Sequence, residues 1–228
     1  MIIAEQKPLE EIREMLGDAK KVMVLGCGAC VTICFAGGSK EVGILSSQLR
    51  IAAKKDGKEL EVIEDTIERQ CENEFFESVK DKMKEADVVL SIACGVGVQT
   101  IAELFPDIIV LPGLNTTSFG RPKEPGVFAE YCGGCGDCIL DLTGGICPIA
   151  RCSKSLLNGP CGGSENGMCE VDPKTIQCAW HLIFEKLEKM GRLDQIEKIN
   201  PPKDWSNSMS GGVRNIVRED LLEVKLES

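Results

Sequence analysis

Eight of the thirteen cysteines fall between Tyr131 and Cys178, and no other feature limits what this chain can fold into as tightly. The stretch reads YCGGCGDCILDLTGGICPIARCSKSLLNGPCGGSENGMCEVDPKTIQC. Its candidate metal ligands are Cys132, Cys135, Cys138, Cys147, Cys152, Cys161, Cys169 and Cys178. A Cys-x-x-Cys-x-x-Cys run followed by a Cys-Pro step is the spacing that wraps a chain around an iron–sulfur cube. Its short loops aim three thiolates at one centre, and the interleaved glycines remove the Cβ clashes of such tight turns. Structural zinc prefers Cys-x-x-Cys knuckles in widely separated pairs, which is a different pattern. Eight thiols make two complete sets of four, so the stretch is read as binding two 4Fe–4S clusters. In bacterial ferredoxins the cysteine before proline serves the other cluster of a pair. Here Ile139 to Ile146 lengthens the spacer before Cys147, and the division of the eight into sets stays open.

The reading as metal ligands rather than disulfides depends on compartment. The start MIIAEQKPLEEIREM has two apolar residues and then acidic, helix-like sequence, with no secretory signal pattern. No run approaches the roughly 20 apolar residues of a membrane span. A cytoplasmic, reducing location is therefore expected, where many thiols point to metal ligation. An odd cysteine count also suits a closed disulfide framework poorly. A net charge of −10 argues against nucleic acid or an anionic membrane as partner. An aromatic content of 4% argues equally against stacking on bases.

The remaining five cysteines lie in a segment of alternating strand and helix patterns. Residues 5–19 carry Leu9, Ile12, Met15 and Leu16 at helical spacing. Val22 to Leu25 is an apolar run of the buried-strand type, broken at Gly26-Cys27-Gly28, after which a helix is expected. Gly43–Lys54 has a helical pattern, ELEVIE suggests a strand, and Asn73–Glu85 a helix with Asn73 as N-cap. Asp87–Ala93, Thr100–Leu104 and Asp107–Leu111 read as strand, short helix and strand. The pattern predicts an α/β domain with a doubly wound, mostly parallel sheet, whose ligands gather at the carboxyl ends of the strands. Cys27, Cys71 and Cys94 all follow predicted strands and are candidates for that edge. Gly26-x-Gly28-x-x-Val31 lacks the third glycine of a dinucleotide fingerprint, so Cys27-x-x-Cys30-x-x-x-Cys34 is read as metal-ligating instead. Its fourth ligand is Cys71 or Cys94, with Cys71 favoured because glycines account for the Cys94 bend. Iron–sulfur and zinc are both open for this N-terminal site, as is a plain packing role for its thiols.

The Pro- and Gly-containing SFGRPKEPG stretch, Ser118 to Gly126, is read as a domain boundary. The expected organisation is an α/β domain over 1–120, a loop-rich cysteine module over 121–199 closed by a Trp180–Met190 helix, and a polar tail over 200–228. Ile183, Leu187 and Met190 form a packing stripe on that helix. His181, the one histidine, is read as a surface or packing residue, since Cys-Cys-His-His zinc needs two. In the tail, Trp205 suggests an anchor to the surface or a partner, and Val217–Val224 a helix.

The stretch from CGGCGDC to CAWHLIFEKL resembles the methylenetetrahydrofolate reductase C-terminal domain family. With VLGCGACVTIC, IERQC and SIACGVGVQ, the chain from about residue 20 to 195 is similar to the small cysteine-rich subunit that accompanies the flavin-bearing reductase of acetogenic and related bacteria. The resemblance implies a partner that carries the flavin and reduces methylenetetrahydrofolate to methyltetrahydrofolate. It also implies an electron donor such as ferredoxin or a nicotinamide-oxidising subunit, and an electron path through clusters held by the cysteines. No nucleophile–base pair, paired-carboxylate site or phosphate loop supports independent catalysis, so no catalytic residue is expected on this chain. The competing reading is a zinc-stabilised docking subunit with no redox role.

Overall fold

A computed structural model describes residues 1–208 and 216–217. The chain divides into two compact units, Met1–Tyr131 and a second beginning at Cys132.

The first unit is built on four parallel strands, β2 (Lys21–Cys27), β3 (Glu61–Ile67), β4 (Val88–Ile92) and β5 (Val110–Pro112), in the order β3-β2-β4-β5. Strand β2 is buried from Val22 to Cys27 because helices cover both faces, as a continuous apolar run requires. Alternate side chains part to the two sides. Val22 and Val24 pack with Ile12 and Leu16 of α1 (Leu9–Leu16) and with Val42, Leu45 and Leu49 of α3 (Ser39–Lys55). Met23 and Leu25 pack with Met83 of α4 (Lys80–Glu85), Ile101 of α5 (Gly95–Leu104), Phe76 and Val79. Each such fully buried side chain contributes about 1.5–3 kcal/mol of transfer free energy. The sheet is thus α/β with helices on both faces, and its carboxyl edge carries the cysteines.

A second, antiparallel sheet, β1 (Ile2–Gln6), β6 (Leu114–Glu124) and β7 (Val127–Cys132), completes the unit in the order β1-β6-β7. Sequence periodicity does not announce it. SFGRPKEPG, read as a boundary, forms the end of β6 and the turn at Pro125-Gly126, where Gly126 takes a φ of 81°. Pro122 is tolerated there because β1 pairs only with Leu114 to Phe119, leaving no β1 ladder bond for a missing N–H to break. The helix expected over 5–19 shrinks to Leu9–Leu16 because β1 takes Ile2–Gln6. The helix expected from Asn73 is a 3-10 turn, Asn73–Ser78, followed by α4; Glu72 precedes it and Asn73 does not cap it. Helix α5 starts at Gly95 rather than Thr100, so Gly95 and Gly97 belong to its first turn, not to a bend before it.

The second unit has little regular structure. Its described α-helices are α6 (Pro148–Arg151) and α7 (Ala179–Lys189), followed by 3-10 turns at Leu193–Glu197 and Trp205–Asn207, while short α2 (Cys30–Ile33) lies in the first unit. Ile183 and Leu187 of α7 are fully buried, with Trp180 beside them, its indole N–H donating to the Leu156 carbonyl at 2.9 Å. Met190, expected on the same stripe, is exposed at the helix end. The helix expected at Val217–Val224 lies, beyond Val217, outside the described residues.

A close approach fixes the loop after α2. A Cβ on Gly37 would stand 1.9 Å from the Ile92 carbonyl oxygen at the end of β4, while the Gly37 carbonyl accepts the Cys27 N–H at 2.9 Å. Gly37→Ala is expected to cost about 1–3 kcal/mol through forced backbone displacement. Urea unfolding checks this, and an unchanged midpoint would refute the contact.

Candidate metal centres

In the second unit, Cys152, Cys161, Cys169 and Cys178 line one small cleft, closed on one side by Trp180. Several local contacts fix the backbone that carries them. Cys178 occupies the N-cap position of α7, and its N–H donates to the Gly167 carbonyl at 2.8 Å. The Cys169 N–H donates to the Ile176 carbonyl at 2.8 Å, so a short antiparallel return holds these two cysteines. Ser153 Oγ lies 3.4 Å from Cys169 Sγ. That hydroxyl, then the backbone at Val171 and Asp172 and the charge of Lys154, hold the Cys169 thiol below its ordinary range. That shift favours the thiolate of Cys169, the form that ligates metal. Gly167 takes a φ of 78°, and a Cβ there would lie 2.9 Å from the ring of His181. The half-exposed imidazole faces Glu185 at 3.4 Å, a packing position consistent with its expected role.

Cys132 ends β7, and Cys135 and Cys138 lie on the loop after it. Gly134 and Gly136 take φ values of 63° and 80°, and the Gly134 N–H donates to Cys132 Sγ at 3.3 Å. The long spacer folds on itself: the Gly145 N–H donates to the Leu140 carbonyl at 2.8 Å, through a turn in which Gly144 and Gly145 have positive φ. Cys147 then stands at the start of α6, with its Sγ accepting the Ala150 N–H at 3.5 Å.

The tail supplies a residue that sequence reasoning missed. The Lys203 side chain is 4% exposed and its ammonium donates to the Asp137 carbonyl, with the Asp137 carboxylate at 3.3 Å. Although burial opposes its charge, Asp137 and the neighbouring Cys135 raise its pKa. Trp205, expected as an anchor, is half exposed and its ring lies 6.0 Å from the same ammonium. Gly136 is required beneath it, since a Cβ would stand 2.4 Å from the Asn207 carbonyl oxygen. A lysine in a polar tail carries no periodicity that would mark it.

In the first unit, Cys27 ends β2, Cys30 begins α2 and Cys34 caps its far end; Cys71 follows β3, and Cys94 precedes α5. Cys34 is buried, with Sγ 3.5 Å from the Ile2 carbonyl. All thirteen cysteines are free thiols. Among the described residues, no three His, Cys, Asp or Glu side chains converge as they stand on a point that would hold a metal ion. Among them, too, no helix is long and apolar enough to cross a membrane. At Gly26 a Cβ would meet Thr66 and Val42 at 2.6 Å, so this glycine serves packing rather than a phosphate.

Lys203→Met should loosen the loop it holds. Backbone amide exchange over residues 133–138 should rise roughly tenfold, as for the loss of one charge-assisted hydrogen bond. Exchange measured by mass spectrometry checks this, and unchanged rates would show the contact to be idle.

Residues 111–206 match a family model described as methylene-tetrahydrofolate reductase C terminal. No curated protein and no solved structure matches the chain. The match takes in every cysteine from Cys132 to Cys178, leaves residues 1–110 outside it, and links the cysteine-rich unit to methylenetetrahydrofolate reductase.

Proposed function

We propose that this chain is the iron–sulfur electron-transfer subunit of a methylenetetrahydrofolate reductase complex, holding two 4Fe–4S clusters in its second unit. The observation that carries the reading is the cleft lined by four cysteines, Cys152, Cys161, Cys169 and Cys178, within the matched segment. It supports a division of the eight cysteines that spacing leaves open: these four hold one cluster, and Cys132, Cys135, Cys138 and Cys147 the other. When bound, such clusters take up and release single electrons, with the charge spread over several iron and sulfur atoms.

The chain's own residues provide the ligands and the setting. Ser153 and the backbone beyond Cys169 stabilise a thiolate before metal arrives. Trp180 and the buried Ile183 and Leu187 put an apolar wall beside the cleft, which lowers the local dielectric and excludes water. Gly134 and Ala150 bring backbone N–H groups to Cys132 and Cys147, the kind of hydrogen bond that tunes a sulfur's electron density. The flavin and the reduction of methylenetetrahydrofolate belong to a catalytic partner, and the electrons come from ferredoxin or a nicotinamide-oxidising subunit.

Protein purified without oxygen should carry about eight iron and eight sulfide in this unit, as two cubes require. Cys161→Ser and Cys169→Ser should remove the same set of iron, singly or together, whereas Cys135→Ser removes a different set. Stoichiometric zinc with no acid-labile sulfide would overturn the proposal in favour of a docking subunit. The complex should also survive gel filtration with the flavoprotein at micromolar concentration; separate elution would remove the subunit assignment.

A further inference from the structure

The carboxyl edge of the parallel sheet brings together thiols that lie far apart in sequence. Register pairs Cys27 with Ile67 of β3 and Gly26 with Ile92 of β4, so the three strands end at one level. The Gly28 N–H donates to the Ile67 carbonyl at 2.9 Å and carries the pairing one residue past Cys27. Two residues beyond Ile92 stands Cys94, at the N-cap of α5. Cys71 reaches the same edge through its neighbour Gln70, which is fully buried. The Gln70 amide donates to the Leu25 and Gly26 carbonyls, each at 2.9 Å, and its carbonyl accepts from the Ser91 hydroxyl at 2.6 Å. One side chain thus pins the segment after β3 across β2 and onto β4. The first turn of α5 closes on it too, since a Cβ on Gly97 would lie 2.7 Å from Gln70 Cβ.

From this geometry we infer that Cys27, Cys71 and Cys94 together form a site for a thiophilic metal centre, zinc or iron–sulfur, with its fourth position open, and that Cys30 and Cys34 stand outside it. The assignment deepens the reading above by naming the ligands of a third, N-terminal centre. It retains both thiols between which the sequence offered a choice, and removes two of the three that its spacing grouped.

The thiol contacts agree, since the Cys27 Sγ donates to the Glu68 carbonyl at 3.9 Å and so lies against the segment that leads from β3 to Cys71. Three such thiols resist ionising together unless a cation joins them. Binding would release their protons to solvent, with each side chain turning about its single χ1 to converge. The N-terminus of α5 adds a partial positive charge beside Cys94. Cys34 has different surroundings: it is buried, and its thiol donates to the Ile2 carbonyl of β1 at 3.5 Å.

The test uses the full chain purified without oxygen, with iron, zinc and acid-labile sulfide counted per chain. Cys27→Ser, Cys71→Ser and Cys94→Ser should each remove the metal of one centre and leave the iron of the second unit in place. Cys30→Ser and Cys34→Ser should retain it. Sulfide lost along with the metal identifies an iron–sulfur centre, and zinc lost alone identifies zinc. Because a serine in the sheet edge risks unfolding, the wild-type protein gives a second readout. Iodoacetamide should label Cys71 and Cys94 only after chelation, and Cys30 before and after. Full metal content in both Cys71→Ser and Cys94→Ser, loss in Cys34→Ser, or Cys71 labelling indifferent to chelator would each overturn the inference. Absence of iron from the second unit with this centre intact would sink the two-cluster proposal alone.

Discussion

Among its described residues the second unit buries few apolar side chains, and that scarcity is the constraint on which its other features turn. Among the described residues its buried hydrophobic side chains are Cys178, Ala179, Trp180, Ile183 and Leu187, all from one turn and one helix. Small units with so little to bury need a further source of stability, and disulfides or metals are the usual ones. The cysteines are free thiols, and the clusters proposed above would supply that stability through thiolate ligation. Its loops carry glycines at positive φ, at 134, 136, 144, 145, 159, 162 and 167, where the chain makes turns that a side chain would strain.

The first unit rests on the opposite principle. Its parallel sheet is covered on both faces, and the apolar alternation in β2 supplies two separate core clusters. That rigidity is what allows polar groups at the sheet edge to be held without slack. Gln70 is an example: a wholly buried amide would be costly unless paired, and it is paired three times with β2 and β4. The cysteine beside it inherits that fixed position. A packed scaffold thus presents thiols at strand ends, while the second unit winds its thiols into loops.

How legible this was depended on the range of the interactions concerned. Strands β2 and β4 stand out because Val22–Leu25 and Val88–Ile92 are local apolar runs, and α3 and α7 because their faces are periodic. The antiparallel sheet was illegible. Ile2–Gln6 is too short to signal a strand, and β6 alternates weakly, with prolines and charges at its exposed end. Cysteine spacing identified the candidate ligands but not their neighbours. Cys27, Cys30 and Cys34 look like one set on a helical template, but spacing does not show what each thiol touches, such as the Ile2 carbonyl of β1 against Cys34 and the Glu68 carbonyl against Cys27. Gln70 and Lys203 carry no local pattern, because what makes them matter is tens of residues away.

Charge gives the last step. The chain carries a net charge of −10, and every thiolate adds to it. Each four-thiol set proposed for the second unit nevertheless has one lysine beside it: Lys203 beside Cys135, and Lys154 near Cys169. Neither lysine is left alone. Lys203 is paired with Asp137 and Lys154 with Glu170, carboxylates lying two residues after Cys135 and one after Cys169. The pairing fixes each ammonium at its loop and also cancels part of its field. A fixed, half-cancelled cation stabilises thiolates without neutralising them. The environment of the two sets differs chiefly in burial, since the Lys203 side chain is almost wholly covered while that of Lys154 is open to water. Solvent screens the second cation far more than the first. Two otherwise similar sets of thiols are thereby given different electrostatic surroundings, the condition under which neighbouring redox centres acquire different potentials.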